Sequence, residues 1–355
     1  MQMKDCTGKS SFRLDLPVFT EVPMAEMLSD RYAEDIERAC EFLRSCDDVL
    51  VVSHVQPDGD AISSTLVIGW LLDKWNKTYR LVNENGVPGR LADLPMAEQI
   101  GSYADAEEDP ENKYSTVICV DCADYARIGK IANWVAPDAR ILNIDHHPTN
   151  DRYGEAALIR HDAAATAEIL YDLLLAAGVE LDKQVGTMLY TGLLTDTGGF
   201  RYSNTTPHVM SVASELLKLG VQGNAIAERL LETMSMAQLK LIQCGLSRLT
   251  FTPDQRIGWL FITPDDMRET GAVNEDLEGL VNYARNVEGV DVGLLFKQID
   301  DRSVKVSMRS SERVDVSAIA QSFGGGGHVR AAGCKVSGTL DDIIIQVVER
   351  VKQEL

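Results

Sequence analysis

Short apolar runs recur along the first half of the chain, and segments with helical spacing separate them. Four of these runs resemble strands and end at polar or turn-forming residues: Asp48–Ser53, Tyr79–Val82, Thr116–Val120 and Arg140–Ile144. Between the first two, Ala61–Trp75 has the apolar spacing of an amphipathic helix. Strands that alternate with helices predict a doubly wound α/β fold with a mostly parallel sheet.

Further helical patterns extend this first domain, which we predict to span residues 29–220. They cover Ala33–Leu43, with Ser29 as a candidate N-cap, and then Ala164–Ala177 and Leu181–Leu194. Residues 1–28 have a mixed, proline-punctuated sequence. We interpret them as an extension and assign them no function.

The pattern changes after residue 220. Residues 221–250 have helical spacing and few strand signals, which predicts a helical connector. Within residues 251–355, the strand-like segments GWLFITPDD, VDVGLLFKQ and SVKVSMRS precede helical patterns at Val316–Phe323 and Leu340–Lys352. This mixture predicts a smaller α+β domain, with a cleft between the two domains.

The charge of the chain restricts its partners. The 355 residues include 54 acidic and 34 basic side chains, which gives a net charge of −20 at pH 7. Because a surface that binds long nucleic acid is basic, this charge argues against long duplex partners. A ligand that carries phosphate would need a local site, and bound cations are the simplest means of reversing the field there.

The sequence also favours a cytoplasmic protein. No apolar run has the length of a membrane helix, and the first residues, MQMKDCTGKSSFRLDLP, lack the apolar core of a secretory signal. The seven cysteines form no regular framework, which fits reduced thiols. Cys119 and Cys122 form a CxxC without a second pair or a histidine at zinc spacing, which favours structural thiols over a redox or zinc role.

Histidines and aspartates follow three of the predicted strands. His54 to Asp60 come after the first strand, Asp121 after the third and Asp145 to His147 after the fourth. In open α/β sheets, ligands bind beyond the carboxyl ends of the strands. Each motif alone fits an ordinary polar loop, but their coincidence at three strand ends favours a functional site.

The acidic residues of this site indicate metal binding. Four carboxylates at one edge of a sheet repel each other unless cations neutralise them. Two divalent ions about 4 Å apart are an established arrangement for displacement at phosphorus. Mixed carboxylate and imidazole donors suit Mn²⁺ or a related first-row metal better than Ca²⁺. The sequence therefore predicts a two-metal site with the candidate ligands His54, Asp58, Asp60, Asp121, His146 and Asp196.

Five motifs occur in a specific order: HVQPDGDAISS, VICVDCAD, NIDHHPTN, TGLLTDTGGFRY and VKVSMRSSERVDVSAIAQSFGGGGHVRAAG. Together they resemble the DHH–DHHA1 phosphoesterase family, over roughly His54 to Gly333. The resemblance is close to the stand-alone members described as nanoRNases, or as bifunctional oligoribonucleases and 3′-phosphoadenosine-5′-phosphate (PAP) phosphatases. It implies hydrolysis of short oligoribonucleotides to nucleoside 5′-monophosphates, and of PAP in addition.

The resemblance also implies roles for single residues. It implies catalytic roles for Asp121, for Asp145, which would orient the cluster, and for His147, which would stabilise charge on the substrate phosphate. It divides the metal ligands between two ions: the first would be bound by His54 and Asp58, the second by Asp60, His146 and Asp196, and both by Asp121.

Recognition of the substrate falls to the second domain in such proteins. The glycine run Gly324–Gly327 is a flexible turn or a means of bringing backbone amides against a phosphate. The resemblance implies that Gly326, His328 and Arg309 bind the nucleotide, and Arg309 has the fork geometry that suits phosphate. Arg201 is a secondary candidate for the same work.

The sequence alone leaves three alternatives for the function. A linear or cyclic dinucleotide phosphodiesterase would use the same chemistry, whereas an inorganic pyrophosphatase is disfavoured by the GGGGH segment. A non-catalytic nucleotide sensor is disfavoured because every expected ligand position is filled.

Family members often form homodimers, although no feature of the sequence demands one. His161 and His208 match no motif, and we expect them to be structural or surface residues.

Overall fold

The computed structural model describes residues 30–105 and 113–355. The segment 1–28 and the candidate cap Ser29 lie outside the described residues. The first domain contains a six-stranded sheet in the order β3-β2-β1-β4-β5-β6, in which every neighbouring pair is parallel. Its strands are β1 (Val49–Val52), β2 (Tyr79–Asn83), β3 (Ile100–Ser102), β4 (Tyr114–Val120), β5 (Val135–Asp145) and β6 (Ala156–Ile159).

This sheet confirms the predicted doubly wound architecture. The strand order reverses between β1 and β4, and the crevice at such a switch point is where open α/β sheets bind ligands. All four residues of β1 are buried, as expected for a central parallel strand that is covered on both faces. The chain continues from β1, β4 and β5 directly into the polar motifs.

The first domain has five helices among the described residues. Of these, α1 (Asp30–Ser45), α2 (Gly59–Lys74) and α3 (Thr166–Ala176) contact the sheet, whereas α4 (Lys183–Asp196) and α5 (Pro207–Lys218) pack on other helices. Asp58 caps α2 by accepting hydrogen bonds from the amides of Asp60 and Ala61, so the helix begins two residues earlier than the apolar pattern predicts. The helix after the turn-rich segment, α5, was not predicted.

The connector is helical, as its sequence predicts. It consists of α6 (Gly223–Ala227), a π-helical turn (Glu228–Glu232) and α7 (Met236–Ser247). Leu241 and Ile242 of α7 are buried in a cluster with apolar residues of the second domain. The last helix of the connector therefore packs as part of the second domain's core.

The second domain has the predicted α+β character. Its sheet has the order β11-β12-β10-β9-β8-β7, and its neighbouring pairs are antiparallel except β8 with β9. The strands are β7 (Thr250–Phe251), β8 (Ile257–Ile262), β9 (Val292–Asp300), β10 (Ser303–Ser310), β11 (Gly326–His328) and β12 (Ala331–Ser337). The helices are α8 (Pro264–Thr270), α9 (Leu280–Arg285), α10 (Val316–Ser322) and α11 (Leu340–Lys352).

The glycine run differs from the flexible turn that the sequence allows. Gly326 to His328 form the edge strand β11, which pairs with β12. Gly327 has φ +139°, and a Cβ there would lie 2.6 Å from the carbonyl oxygen of Ala331. Glycine at this position therefore lets β11 lie close against its neighbour.

The described residues also include five 3₁₀ segments: Gly89–Leu91, Ala97–Gln99, Tyr103–Asp105, Tyr125–Trp134 and Asn274–Leu277. Over residues 30–105 and 113–355, no helix combines the length and apolarity that a bilayer crossing requires.

Candidate metal centre

The first domain brings the predicted ligands together at the switch point of its sheet. His54 follows β1, Asp121 follows β4 and His146 follows β5, so the three side chains lie at one edge. Asp58 and Asp60 come from the start of α2, and Asp196 is the last residue of α4. Two helix ends and three strand ends thus supply all six predicted ligands.

The first ligand group consists of His54, Asp58 and Asp121, and one ligand atom of each lies within 4.8 Å of the others. The Nε2 atom of His54 is 3.6 Å from Oδ2 of Asp121 and 3.9 Å from Oδ2 of Asp58. Its Nδ1 lies 2.8 Å from the carbonyl oxygen of Val55. Because a carbonyl only accepts, Nδ1 carries the proton and leaves the Nε2 lone pair facing the carboxylates.

The second ligand group consists of Asp60, His146 and Asp196, again within 4.8 Å of one another. The Nδ1 atom of His146 donates to the carbonyl oxygen of Ala163 at 3.1 Å, and Nε2 is 3.3 Å from Oδ2 of Asp196. This Nε2 is buried and has no hydrogen-bond partner. A buried lone pair without a donor, next to two carboxylates, fits a metal ligand.

Asp121 lies between the two groups. Its Oδ2 is 3.6 Å from His54 Nε2, and its Oδ1 is 3.6 Å from His146 Nε2. The residue has φ +52°, a left-handed conformation that costs about 1–3 kcal/mol in a residue other than glycine. Burial alone would raise its pKa, but the neighbouring imidazoles of His54, His147 and His146 hold that pKa well below its usual range.

The start of α3 holds Asp60 in place. Both oxygens of this buried carboxylate accept backbone hydrogen bonds, from Thr166 at 2.6 Å and from Ala167 at 3.0 Å. The Thr166 hydroxyl also donates to Oδ1 of Asp121 at 3.0 Å. One helix N-terminus therefore orients carboxylates of both ligand groups.

The electrostatics of the cluster favour bound cations. Burial, together with the charges of Asp121 and Asp196, raises the pKa of Asp60 well above its usual value. Burial raises the pKa of Asp196 to about 6, against the opposing effect of His146. Carboxylates that resist ionisation become stable anions when cations are bound between them. The donor set of carboxylates and imidazoles therefore fits divalent metal ions.

Comparisons with known proteins show the family of the chain. Residues 48–193 match the DHH family, N-terminal domain, and residues 260–354 match the DHHA1 domain. The bifunctional oligoribonuclease and PAP phosphatase NrnA of Thermus thermophilus is 36% identical over 92% of this chain and 96% of its own length. The chain belongs to the DHH family. The predicted family resemblance is thus confirmed.

Two further matches cover most of this DHH protein. The bifunctional oligoribonuclease and PAP phosphatase NrnA of Bacillus subtilis is 27% identical over 82% of the chain and 90% of its own length. The crystal structure of an exopolyphosphatase-related protein from Bacteroides fragilis has a TM-score of 0.81, with 25% identity over 90% of this chain and 96% of that one. The order of DHH and DHHA1 domains is therefore the one predicted.

Asp145 holds the second histidine of the DHH motif. His147 Nδ1 lies 2.7 Å from Oδ1 of Asp145, a fully buried carboxylate. Oδ2 of Asp145 accepts from the side-chain amide of Asn150 at 2.7 Å, and that amide also donates to Asn143 at 2.8 Å. Because Nδ1 is fixed in this way, the orientation of the His147 ring is fixed too.

The DHHA1 domain places His328 against this motif. The His328 ring stacks on His147, with centroids 4.9 Å apart and planes 23° apart, and lies 5.6 Å from the His146 ring. Burial and the two neighbouring imidazoles lower the pKa of His328 to about 4. Gly326 lies two residues away on the same edge strand. The structure thus brings one predicted recognition residue, His328, against the DHH motif, and Gly326 belongs to the same strand.

The two predicted arginines differ in their surroundings. Arg309 is partly buried on β10, where its guanidinium donates to the carbonyl oxygen of Met308 at 3.1 Å and forms no ion pair among the described residues. Burial lowers its pKa. Arg201 is exposed in the turn after α4 and donates to the carbonyl oxygen of Gly198 at 2.5 Å. No described contact joins Arg201 to the metal ligands.

Some residues that shape the site were not predicted. Asn143 and Asn150 orient Asp145, and the amides of Thr166 and Ala167 orient Asp60. The available signal was the asparagine at the end of the DHH motif, because a short amide after a strand commonly stabilises a turn. Backbone donors leave no signal in the residue type.

The CxxC pair has the surroundings of structural thiols. Cys119 and Cys122 are buried and free, and burial raises the pKa of Cys122 to about 12. The carbonyl oxygen of Cys122 accepts from the Tyr153 hydroxyl at 2.9 Å and from the Asn143 amide at 3.1 Å. Thiols that stay protonated are poor metal ligands and poor nucleophiles.

His161 and His208 lie outside both ligand groups. His161 is exposed, and its Nδ1 donates to the carbonyl oxygen of His147 at 2.9 Å. His208 is partly buried with Nε2 3.5 Å from Oδ1 of Asp172, and this nearby carboxylate raises its pKa. Both have structural contacts.

Proposed function

We propose that this DHH protein is a two-metal phosphoesterase that hydrolyses short oligoribonucleotides to nucleoside 5′-monophosphates, and PAP in addition. The observation that carries the proposal is Asp121, whose two oxygens face the Nε2 atoms of His54 and His146. Two relatives that cover most of the chain are named for these two activities. The donor set suits Mn²⁺ best.

The side chains of the centre would divide the work of hydrolysis. Divalent ions lower the pKa of water and neutralise the charge of a phosphate, which supplies a nucleophile at neutral pH. His54 and Asp58 would hold one ion, Asp60, His146 and Asp196 the other, and Asp121 both. No separate protein base is then required.

His147 would contact the phosphate that is cut. Its Nδ1–H donates to Asp145, so Nε2 faces the substrate. In the neutral ring Nε2 is an acceptor, and in the protonated ring it carries a second N–H donor. A donor fixed before the reaction costs no reorganisation as charge develops on the phosphate oxygens. Asn150 would contribute indirectly by keeping Asp145 in position.

The DHHA1 domain would bind the rest of the nucleotide. Arg309 is partly buried without a carboxylate partner among the described residues, which supports a role in binding an anion from the substrate. His328 would stack near the phosphate, and the backbone of Gly326 would contribute amide donors. Arg201 stays a secondary candidate because its guanidinium reaches only its own turn.

The charge and the cysteines of the chain bear on the length of its substrates and on its location in the cell. The net charge of −20 opposes long duplexes, so the substrates would be short single strands and nucleotide phosphates. The six described cysteines are free, which supports a cytoplasmic location. A homodimer is part of the proposal, on the basis of the family resemblance alone.

A substrate panel with added Mn²⁺ tests the proposal. The panel contains a two-nucleotide RNA, PAP, a cyclic dinucleotide and pyrophosphate, and Asp121→Ala is the inactive control. We expect turnover of the RNA and of PAP, with release of nucleoside 5′-monophosphate. Turnover of the cyclic dinucleotide alone would replace the proposal with a dinucleotide phosphodiesterase, and a protein loaded with metal but inert on all four would indicate a nucleotide sensor.

A further inference from the structure

One face of the DHHA1 sheet is turned toward the metal centre. On β10, Val304, Val306 and Met308 are fully buried in the core of the domain. Because successive side chains on a strand point to opposite faces, Lys305 and Arg309 lie on the other face.

Two contacts identify this other face as the wall of the cleft. The Nζ atom of Lys305 is 3.2 Å from the side-chain oxygen of Gln56, two residues before the metal ligand Asp58. At the other end of the wall, Arg309 pairs with Ala331, and Ala331 pairs with His328, whose ring stacks on His147. Residues that oppose each other across a sheet share a face, so Arg309 and His328 lie on the same wall.

Three lysines stand in one row across this wall. Lys305 pairs with Lys297 on β9 and with Lys335 on β12, so their side chains are direct cross-strand neighbours. Like charges directly opposite each other destabilise a sheet. Burial, together with the charge of Lys305, lowers the pKa of Lys297.

Among the described residues, no carboxylate forms an ion pair with the row to offset this cost. Lys297 contacts the side-chain amide of Asn274, Lys305 contacts that of Gln56, and Lys335 is exposed. Within residues 30–105 and 113–355, the lysines that form ion pairs with carboxylates are Lys74, Lys218 and Lys352, and none of them belongs to the row. In a chain with 54 acidic residues, three neighbouring lysines without such pairs are available to an external anion.

The row is too far from Arg309 to bind the same phosphate. Lys305 and Arg309 are four residues apart on β10, which corresponds to ~14 Å along the strand. We propose that Lys297, Lys305 and Lys335 form a second phosphate subsite, which binds another backbone phosphate of a short single-stranded oligoribonucleotide. This inference rests on the proposed function and adds to it a preference for substrates longer than two nucleotides.

The test compares substrate lengths in a double variant. We expect Lys305→Gln/Lys335→Gln to lower the ratio of kcat/KM for a tetranucleotide to kcat/KM for a dinucleotide about tenfold. The salt dependence of log KM for the tetranucleotide should also become shallower, by about 0.7 per lysine removed, because fewer counterions are released. A purely structural role of the lysines would not change this slope.

The matched control is Lys183→Gln/Lys240→Gln, which removes two exposed lysines outside the row. It should leave both the length ratio and the salt slope unchanged. An unchanged ratio and slope in the Lys305→Gln/Lys335→Gln variant would overturn the subsite while leaving the proposed function intact. A wild-type protein inactive on both substrates would instead overturn the proposed function.

A stability measurement separates the subsite from misfolding. Because the row places like charges opposite each other, the double variant should unfold at the same or a higher temperature than the wild type. A large loss of stability together with equal losses on both substrate lengths would count against the subsite, since the lysines would then act structurally.

Discussion

At the scale of single residues, the centre depends on the conformation of Asp121. The chain leaves β4 and turns with φ +52° at this residue, and the Asp121 amide donates to the carbonyl oxygen of Ile144 at 2.9 Å. This turn directs the two carboxylate oxygens at different imidazoles. The backbone strain is therefore explained by the position that the site requires of this carboxylate.

Arg309 carries the residue-scale prediction for recognition. Arg309→Ala should raise KM for a two-nucleotide RNA by about 10- to 100-fold, the effect of losing hydrogen bonds to a charged group. Hydrolysis of a small generic phosphodiester, which lacks the nucleotide, should change little. Steady-state kinetics on both substrates measure the difference, with the exposed Arg302→Ala as the control. Equal losses on both substrates would contradict a recognition role.

The residue types indicated the candidate metal ligands more clearly than the groups that hold those ligands in place. His54, Asp121 and His146 could be placed because each follows an apolar run that forms a strand, and strand ends meet at one edge. The supports of Asp60 are backbone amides of Thr166 and Ala167, which any residue could supply. Their role depends on where α3 begins, and the sequence pattern does not fix that point.

At the scale of elements, the close approach of α2 and α4 creates the second ligand group. A Cβ at Gly192 would lie 2.6 Å from Oδ1 of Asp60 and 2.6 Å from the Cβ of Ala167. A Cβ at Gly59 would lie 2.4–2.8 Å from the side chain of Thr195. Glycines on both helices thus let Asp60 and Asp196 face the same space.

Gly192→Ala tests this contact. The added methyl group has no room, because backbone amides hold Asp60, so we expect a loss of about 1–3 kcal/mol in the free energy of unfolding. Metal affinity should fall as well, since the substitution displaces a ligand. Urea unfolding in EDTA and calorimetric titration with Mn²⁺ measure the two effects. Gly89→Ala, where a Cβ would meet no atom within 4 Å, should change neither.

The elements were predictable where burial imposes a strong pattern. The short apolar runs located β1, β2, β4 and β5, and the amphipathic spacing of residues 340–352 located α11 at its observed bounds. β12, with the sequence AAGCKVS, was not predicted because alanine and glycine weaken the alternation. β11 is a strand only because β12 pairs with it, so tertiary contacts determine its structure.

At the scale of the whole molecule, protons and metal ions compete for the cluster. Burial opposes protonation of His54, but the nearby carboxylates of Asp121 and Asp58 raise its pKa to about 9. The pKa of Asp196 is raised to about 6. For Asp196, protonation favours the folded metal-free protein, so its contribution to the free energy of unfolding falls as the pH rises from about 4 to 6.

The affinity for metal should therefore rise with pH. A ligand must release its proton before it binds an ion, so between pH 7 and 8 the release from His54 should lower the Kd for Mn²⁺ about tenfold per pH unit. Below pH 6, protonation of Asp196 should make the dependence steeper. Calorimetric titrations in buffers of different ionisation enthalpy measure both the Kd and the protons released. A Kd independent of pH from 6 to 8 would contradict the involvement of His54.

The most direct test of the account is the number of metal ions per chain, measured together with turnover. The metal-free protein is titrated with Mn²⁺ while bound metal and hydrolysis of a two-nucleotide RNA are followed in the same samples. We predict two ions per chain, with activity that appears only as the second ion binds. Asp121→Ala should bind fewer than two ions and lose more than about 100-fold in kcat, beyond the loss typical of an indirect ligand contact. The exposed Asp138→Ala should match the wild type. Full turnover in Asp121→Ala, or in wild-type protein with one ion or none, would contradict the account.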